Sequence, residues 1–161
     1  MQNFSDEEVR KFLTAHGLEK QIHSFTESTE NAYLAAEALG VEVGQIVKSV
    51  VFLADGKPVL VLMSGDMNVD TKKFRNLLGA KKVRIADAET VVAVTGYPVG
   101  AVPPMAHRQR MPTYLDESLR RFSNIYPAAG TTQNMFGTTF DELLRLTTAE
   151  IVDVAAPKKK T

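Results

Sequence analysis

The 161-residue chain contains no cysteine, which excludes disulfides, thiolate metal sites and a cysteine nucleophile. Its three histidines, His16, His23 and His107, are widely spaced, so no zinc or iron ligand set is expected and metal is assigned as none. No apolar run approaches the ~20 residues that cross a bilayer. The opening MQNFSDEEVRKF is too polar and acidic for a secretory signal. These absences point to a cytoplasmic protein with no membrane partner. Net charge is missing too, because 19 basic and 19 acidic residues cancel, so no global field draws the chain to nucleic acid. GYPVGAVPP (residues 96–104) is not a G-x-G-x-x-G fingerprint, and no G-x-x-x-x-G-K-[ST] loop exists. Dinucleotide and nucleoside-triphosphate chemistry therefore lose their main support, and no cofactor is expected.

What is present is enough apolar material, 44%, for one core. A single domain over residues 1–156 is expected, followed by a basic disordered tail at 157–161. Charge is unevenly spread. Residues 1–40 carry three basic against seven acidic residues, and residues 48–84 carry eight basic against three. The second stretch contains Lys72, Lys73, Arg75, Lys81, Lys82 and Arg84, a candidate phosphate-binding face whose plainer reading is a solvated surface.

Helix signals are well punctuated. Ser5 with Glu8 makes a capping box ahead of a helix ended by Gly17, with Val9, Phe12 and Leu13 facing inward. QIHSF reads as a short strand. Thr29 is placed to cap a helix stopped by Gly40, in which Tyr33 and Ala36 read as packing residues, a pocket wall or ribose contact being the alternative. Residues 45–66 read as two apolar strands joined through Asp55 and Gly56. A helix from Asp70 to Gly79, a brief strand KKVRIA and a helix from Asp87 to Gly96 follow. The Pro- and Gly-rich stretch 96–119 is too broken for a helix. After it come strand, glycine turn, strand, a helix capped by Thr139 and a last strand. Hairpins mixed with crossovers predict an α+β fold with a mixed, mostly antiparallel, barrel-like sheet flanked by short helices.

Three features lack a cheap structural reason. Along VGQIVKSVVFL (residues 43–53), period two aligns Lys48 with Ile46, Val50 and Phe52. An ammonium in an apolar row is costly unless acceptors or an anion meet it. The second feature is the rigid loop GAVPP, Gly100 to Pro104, and the third is the turn AAGTT at 128–132.

EALGVEVGQIVKSVVF, TGYPVGAVPPMAH, IYPAAGTT and FDELLRLTTAEIVDVA, in that order, resemble the YbaK family. This is the editing domain of bacterial prolyl-tRNA synthetase together with its freestanding relatives. The similarity runs from about Thr26 to Ala155. It implies a trans-editing deacylase that hydrolyses the ester of a mischarged tRNA, with alanyl- or another small-residue tRNA(Pro) as substrate. Lys48 matches the family's most important residue. Gly100, Ala101, Val102, Pro103, Pro104 and Met105 match the loop that shapes the aminoacyl pocket, and Ala129 and Gly130 match the turn beside the substrate. Thr29 and His107 are added as substrate-binding residues, with a structural role for His107 preferred over that of a base. The partners implied are the tRNA acceptor end, held by Lys72, Lys73, Arg75, Lys81 and Lys82 with a weak share from Lys158–Lys160, and prolyl-tRNA synthetase. The turn lacks the basic residue found there in some cysteine-clearing members, and Met105 stands where many relatives carry phenylalanine or isoleucine.

Donors aimed at the carbonyl oxygen lower the barrier to attack by water. Lys48 and a backbone N–H near Ala129–Gly130 are candidates; Lys48 alternatively orients the terminal phosphate or ribose. The competing reading is a catalytically silent tRNA- or nucleic-acid-binding regulatory module on the same fold.

Overall fold

Caps decide where the helices begin. The computed structural model describes residues 3–158, and in it α1 (Asp6–Ala15) starts at the predicted capping box, with the Ser5 N–H donating to Glu8 Oε1 at 3.0 Å. After β1 (Ile22–Ser24), α2 (Ala32–Leu39) is capped by Asn31, whose Oδ1 accepts from Leu34 N at 2.9 Å. The Thr29 cap is thus corrected. Thr29 is buried, and its N–H and hydroxyl both donate to the Thr132 carbonyl, at 2.6 and 3.1 Å. That pairing ties the approach to α2 onto the AAGTT turn, and it would not exist if the helix began two residues earlier.

The hairpin of β2 (Ile46–Ala54) and β3 (Lys57–Ser64) has the predicted turn, and its register sets Ala54 opposite Lys57 and Lys48 opposite Met63. Its turn holds Asp55 and Gly56 at φ 49° and 82°, the left-handed pair that suits the strand twist. The Asp55 carboxylate accepts from the Lys81 and Lys82 amides and so anchors the entry to β5. The remaining elements are β4 (Met67–Val69), α3 (Thr71–Leu78), β5 (Val83–Ile85), α4 (Ala88–Thr95), β6 (Thr113–Asp116), β7 (Tyr126–Pro127), β8 (Asn134–Phe136), α5 (Phe140–Thr147), β9 (Glu150–Val152) and β10 (Ala155–Pro157). Strands β4 and β6 are absent from the sequence reading, as both are short and flanked by turn-forming residues. Pro157 lies in β10, so ordered structure runs past the tail boundary set at 156; residues 159–161 lie outside the described part.

The main sheet has the order β5-β2-β3-β6-β9, with β7 beside the start of β2. Pairs β2–β3 and β2–β5 are antiparallel, while β2–β7, β3–β6 and β6–β9 are parallel. Two antiparallel ribbons, β1–β8 and β4–β10, flank it. The fold is therefore mixed α+β as expected. Among the described residues no pairing joins β5 to β9, so the sheet is open along this path.

Period two sorts the core into two layers. Val47, Val51, Leu60 and Leu62 face one cluster, and Phe52, Val59, Val61 and Met63 face the other. Both faces are covered, which explains the nearly continuous apolar run of β3. Asp116, fully buried at the end of β6, accepts from Ser118 N at 2.9 Å and Val154 N at 2.8 Å. Asp116→Ala leaves these two amides without their acceptor, and the loss expected in urea unfolding is about 2–4 kcal/mol.

Candidate active site

Lys48 stands at the end of the apolar row made by Phe52 and Val50, and its side chain is half-buried. Its Nζ donates to the Met67 carbonyl of β4 and lies 3.5 Å from Asn68 Oδ1, the outer limit of a hydrogen bond. The stem covers apolar surface while the head finds acceptors. An ammonium carries three N–H donors, so these two acceptors leave one for a group in the adjoining cavity. Burial, then the nearby Lys158 charge, lowers its pKa to about 8, against a partial opposing pull from Asp66. The amine is consequently still mostly protonated near neutral pH.

The cavity measures about 270 Å³ and lies where β2 meets the start of α2, the 100-loop and the chain after β7. Apolar walls come from Ile46, Val47, Val99, Val102, Ala128 and Met135, and polar groups from Lys48, Ser49, Thr29 and Glu30. Only glycine fits at 100. Its φ is 89°, and a Cβ there would lie 2.9 Å from the Glu30 carbonyl oxygen, so the loop seals against the backbone that leads into α2.

Ser49 is a member that sequence reasoning missed. Its hydroxyl is the single buried side-chain polar atom among the described residues without a hydrogen-bond partner, and the residue lines the cavity. A buried hydroxyl left unpaired is costly, but the Oγ is closed to solvent and strand alternation turns it to the face opposite Lys48. The only sequence signal is its place next to Lys48.

Of the expected pocket residues, Lys48, Thr29, Gly100 and Val102 come together. The others do not. Ala101 is fully buried in the core. Pro104, Met105 and His107 line a separate cavity of about 630 Å³ beside α1 and the end of α5, so the 100–105 loop is a partition with two faces. Pro103 is buried, and its carbonyl accepts from His107 Nε2 at 2.7 Å. Burial holds that imidazole below its ordinary pKa, and it is outside the Lys48 cavity; its contact positions the loop.

The AAGTT turn contributes Ala128, not Ala129 or Gly130. The Ala129 N–H donates to the Asn134 carbonyl at 3.3 Å, and Ala129 is fully buried. At Gly130 (φ 100°) a Cβ would lie 2.7 Å from the Ser5 carbonyl oxygen. That glycine serves the docking of α1, and neither residue lines the Lys48 cavity.

The basic cluster is exposed, apart from the partly buried Arg75, but divided. Lys72 and Lys73 open α3, one strand from the Met67 carbonyl that Lys48 contacts, and Lys73 lies 3.7 Å from Asp153. Arg75 lies one turn further along α3. Lys81, Lys82 and Arg84 sit around β5, which pairs with Phe52–Ala54, about 13–20 Å along β2 from Lys48 at ~3.3 Å per residue. The cation that does reach the cavity is Lys158. Tyr33, read as a packing residue, is 59% exposed at the same mouth, while Ala36 is buried.

Residues 26–146 match the model of the aminoacyl-tRNA editing domain. The chain belongs to that family. The editing domain is 32% identical over 148 residues to the Bacillus subtilis protein YwhH, covering 91% of this chain and 94% of that one. It is 30% identical over 132 residues to EbsC of Enterococcus faecalis, named as a candidate Cys-tRNA(Pro)/Cys-tRNA(Cys) deacylase, with 81% and 80% covered. An 82-residue stretch is 48% identical to proline–tRNA ligase of Desulfovibrio desulfuricans, but this spans 51% of the chain and only 14% of the ligase. A crystal structure described as a candidate trans-editing enzyme for prolyl tRNA synthetase superposes with a TM-score of 0.88 at 37% identity, covering 97% and 99% of the two chains. No helix among the described residues is long and apolar enough to cross a membrane.

Proposed function

We propose that this editing domain is a trans-acting deacylase that hydrolyses the ester of a mischarged tRNA, with the aminoacyl group held in the Lys48 cavity. The carrying observation is one half-buried ammonium with a donor left over, set among apolar walls. Attack of water on the ester places negative charge on the carbonyl oxygen, and an ammonium already fixed by the protein stabilises it without reorganisation. Its partial burial and its remaining donor favour the carbonyl oxygen over the terminal phosphate as its partner. No side chain in the cavity is a nucleophile paired with a histidine, so water does the chemistry.

The walls suit a small acyl group, alanyl first. Apolar contact separates near-isosteres by only about 1–3 kcal/mol per methylene, and the name of EbsC favours cysteinyl as a second reading. Prolyl-tRNA synthetase is the natural source of such errors and the proposed partner. A panel of alanyl-, cysteinyl-, seryl- and prolyl-tRNA(Pro) decides it. The expected result is release of alanine or cysteine at least tenfold faster than of proline, with Lys48→Ala indistinguishable from buffer. Equal decay with wild type, variant and buffer would leave only the silent binding module.

A further inference from the structure

At the cavity mouth an exposed ring meets a partly buried amine. Tyr33, on the first turn of α2, shows 59% of its surface. Lys158, just past β10, lays its Nζ 4.5 Å from the centre of the Tyr33 ring and 3.5 Å from the Tyr33 hydroxyl. Both residues line the same cavity as Lys48. An aromatic face left in solvent is a stacking surface for a base. A lysine held by a cation–π contact and one hydrogen bond at the 3.5 Å limit gives up little on leaving them. Two amines facing one mouth repel each other, and a phosphate arriving there relieves that repulsion.

We infer that Tyr33 and Lys158 form a subsite for the terminal nucleotide of the substrate, in which Lys158 moves off the ring to pair with the phosphate and the ring takes the adenine. This rests on the deacylase reading only for the identity of the natural ligand. It divides the labour at the mouth, with phosphate to Lys158 and acyl carbonyl to Lys48. The other charged groups near Lys48 are Asp66, in the turn after β3, and Glu30, before α2. Both are acidic, Asp66 being itself paired with Arg121 at 2.6 Å, so Lys158 is the cation that disfavours a charged Lys48.

The test uses adenosine 5′-monophosphate as probe, titrated against the whole protein and followed by amide chemical shifts, independently of any deacylation. Tyr33→Ala is expected to weaken binding about tenfold and Tyr33→Phe hardly at all, since the ring alone stacks. Lys158→Ala weakens the monophosphate about fivefold and leaves adenosine unchanged. In the deacylation assay Lys158→Ala raises KM with kcat within about twofold, and it moves the alkaline limb of the rate upward from about pH 8. A purely structural role for Lys158 would not shift the phosphate preference. Unchanged monophosphate affinity in Tyr33→Ala and Lys158→Ala overturns the subsite while leaving hydrolysis standing. Weakened affinity in both, in a protein that hydrolyses no ester, keeps the subsite and removes the deacylase.

Discussion

Lys48→Ala is expected to lower the single-turnover rate on the preferred aminoacyl-tRNA by about 10²–10³-fold, the usual effect of deleting one donor aimed at a developing oxyanion. Binding should change much less, because the charge Lys48 stabilises is largest in the transition state. The same residue should cost the fold stability. In the native state the amine titrates at about 8, well below the ordinary lysine value of about 10.4. Between those values the unfolded chain binds more protons than the native one, so stability rises as pH climbs from 8 to 10.4. Below pH 8 the native state carries the full penalty of a desolvated ammonium. Lys48→Met keeps the apolar stem and removes the charge. It should therefore unfold at higher urea than wild type at pH 7, with the gap closing above pH 8. An inactive but more stable variant is the signature of a residue kept for chemistry.

Gly100→Ala should damage catalysis out of proportion to its size. The backbone at 100 has a positive φ, and the new methyl would sit 2.9 Å from both the Cβ and the carbonyl oxygen of Glu30. A flexible side-chain tip can move aside, but the segment leading into α2 cannot do so without displacing Thr29 and Asn31. The expected cost is about 1–3 kcal/mol of stability and about 10–100-fold in kcat/KM, the scale of a wall displaced by a fraction of an ångström. Gly56→Ala is the control. Its φ is 82° but no atom lies within 4 Å of the added methyl, so it should show backbone strain alone, with full activity in the folded fraction. Circular dichroism melts and the deacylation assay read both variants.

Local rules in the sequence reach far. Ser5–Glu8 and Thr139 cap the helices they were expected to cap, and Asp70 and Asp87 cap the helices expected to begin at them, because a cap and its amide are neighbours in the chain. Thr29 broke the pattern when its hydroxyl found the Thr132 carbonyl, 103 residues away, a partner that no local rule can supply. Lys48 was legible because an ammonium in an apolar strand row is an anomaly at any level. The division of the 100–105 loop was not, since glycine and proline announce rigidity without saying which side of the loop meets which cavity. Ser49 was illegible, and Tyr33 legible only as an alternative to packing, for a related reason: an unpaired hydroxyl and an exposed ring acquire meaning only from the groups around them in three dimensions.

The central claim is that Lys48 acts as an ammonium inside this cavity, and the pH dependence of the single-turnover deacylation rate tests it most directly. Measured from pH 6.5 to 9.5 with buffer hydrolysis subtracted, the wild-type rate should be level and then fall, with a midpoint at about 8 matching the Lys48 Nζ titration followed by NMR. A rate that instead rises through pH 8, as a neutral amine acting as base would require, or that shows no inflection where Lys48 titrates, would contradict it.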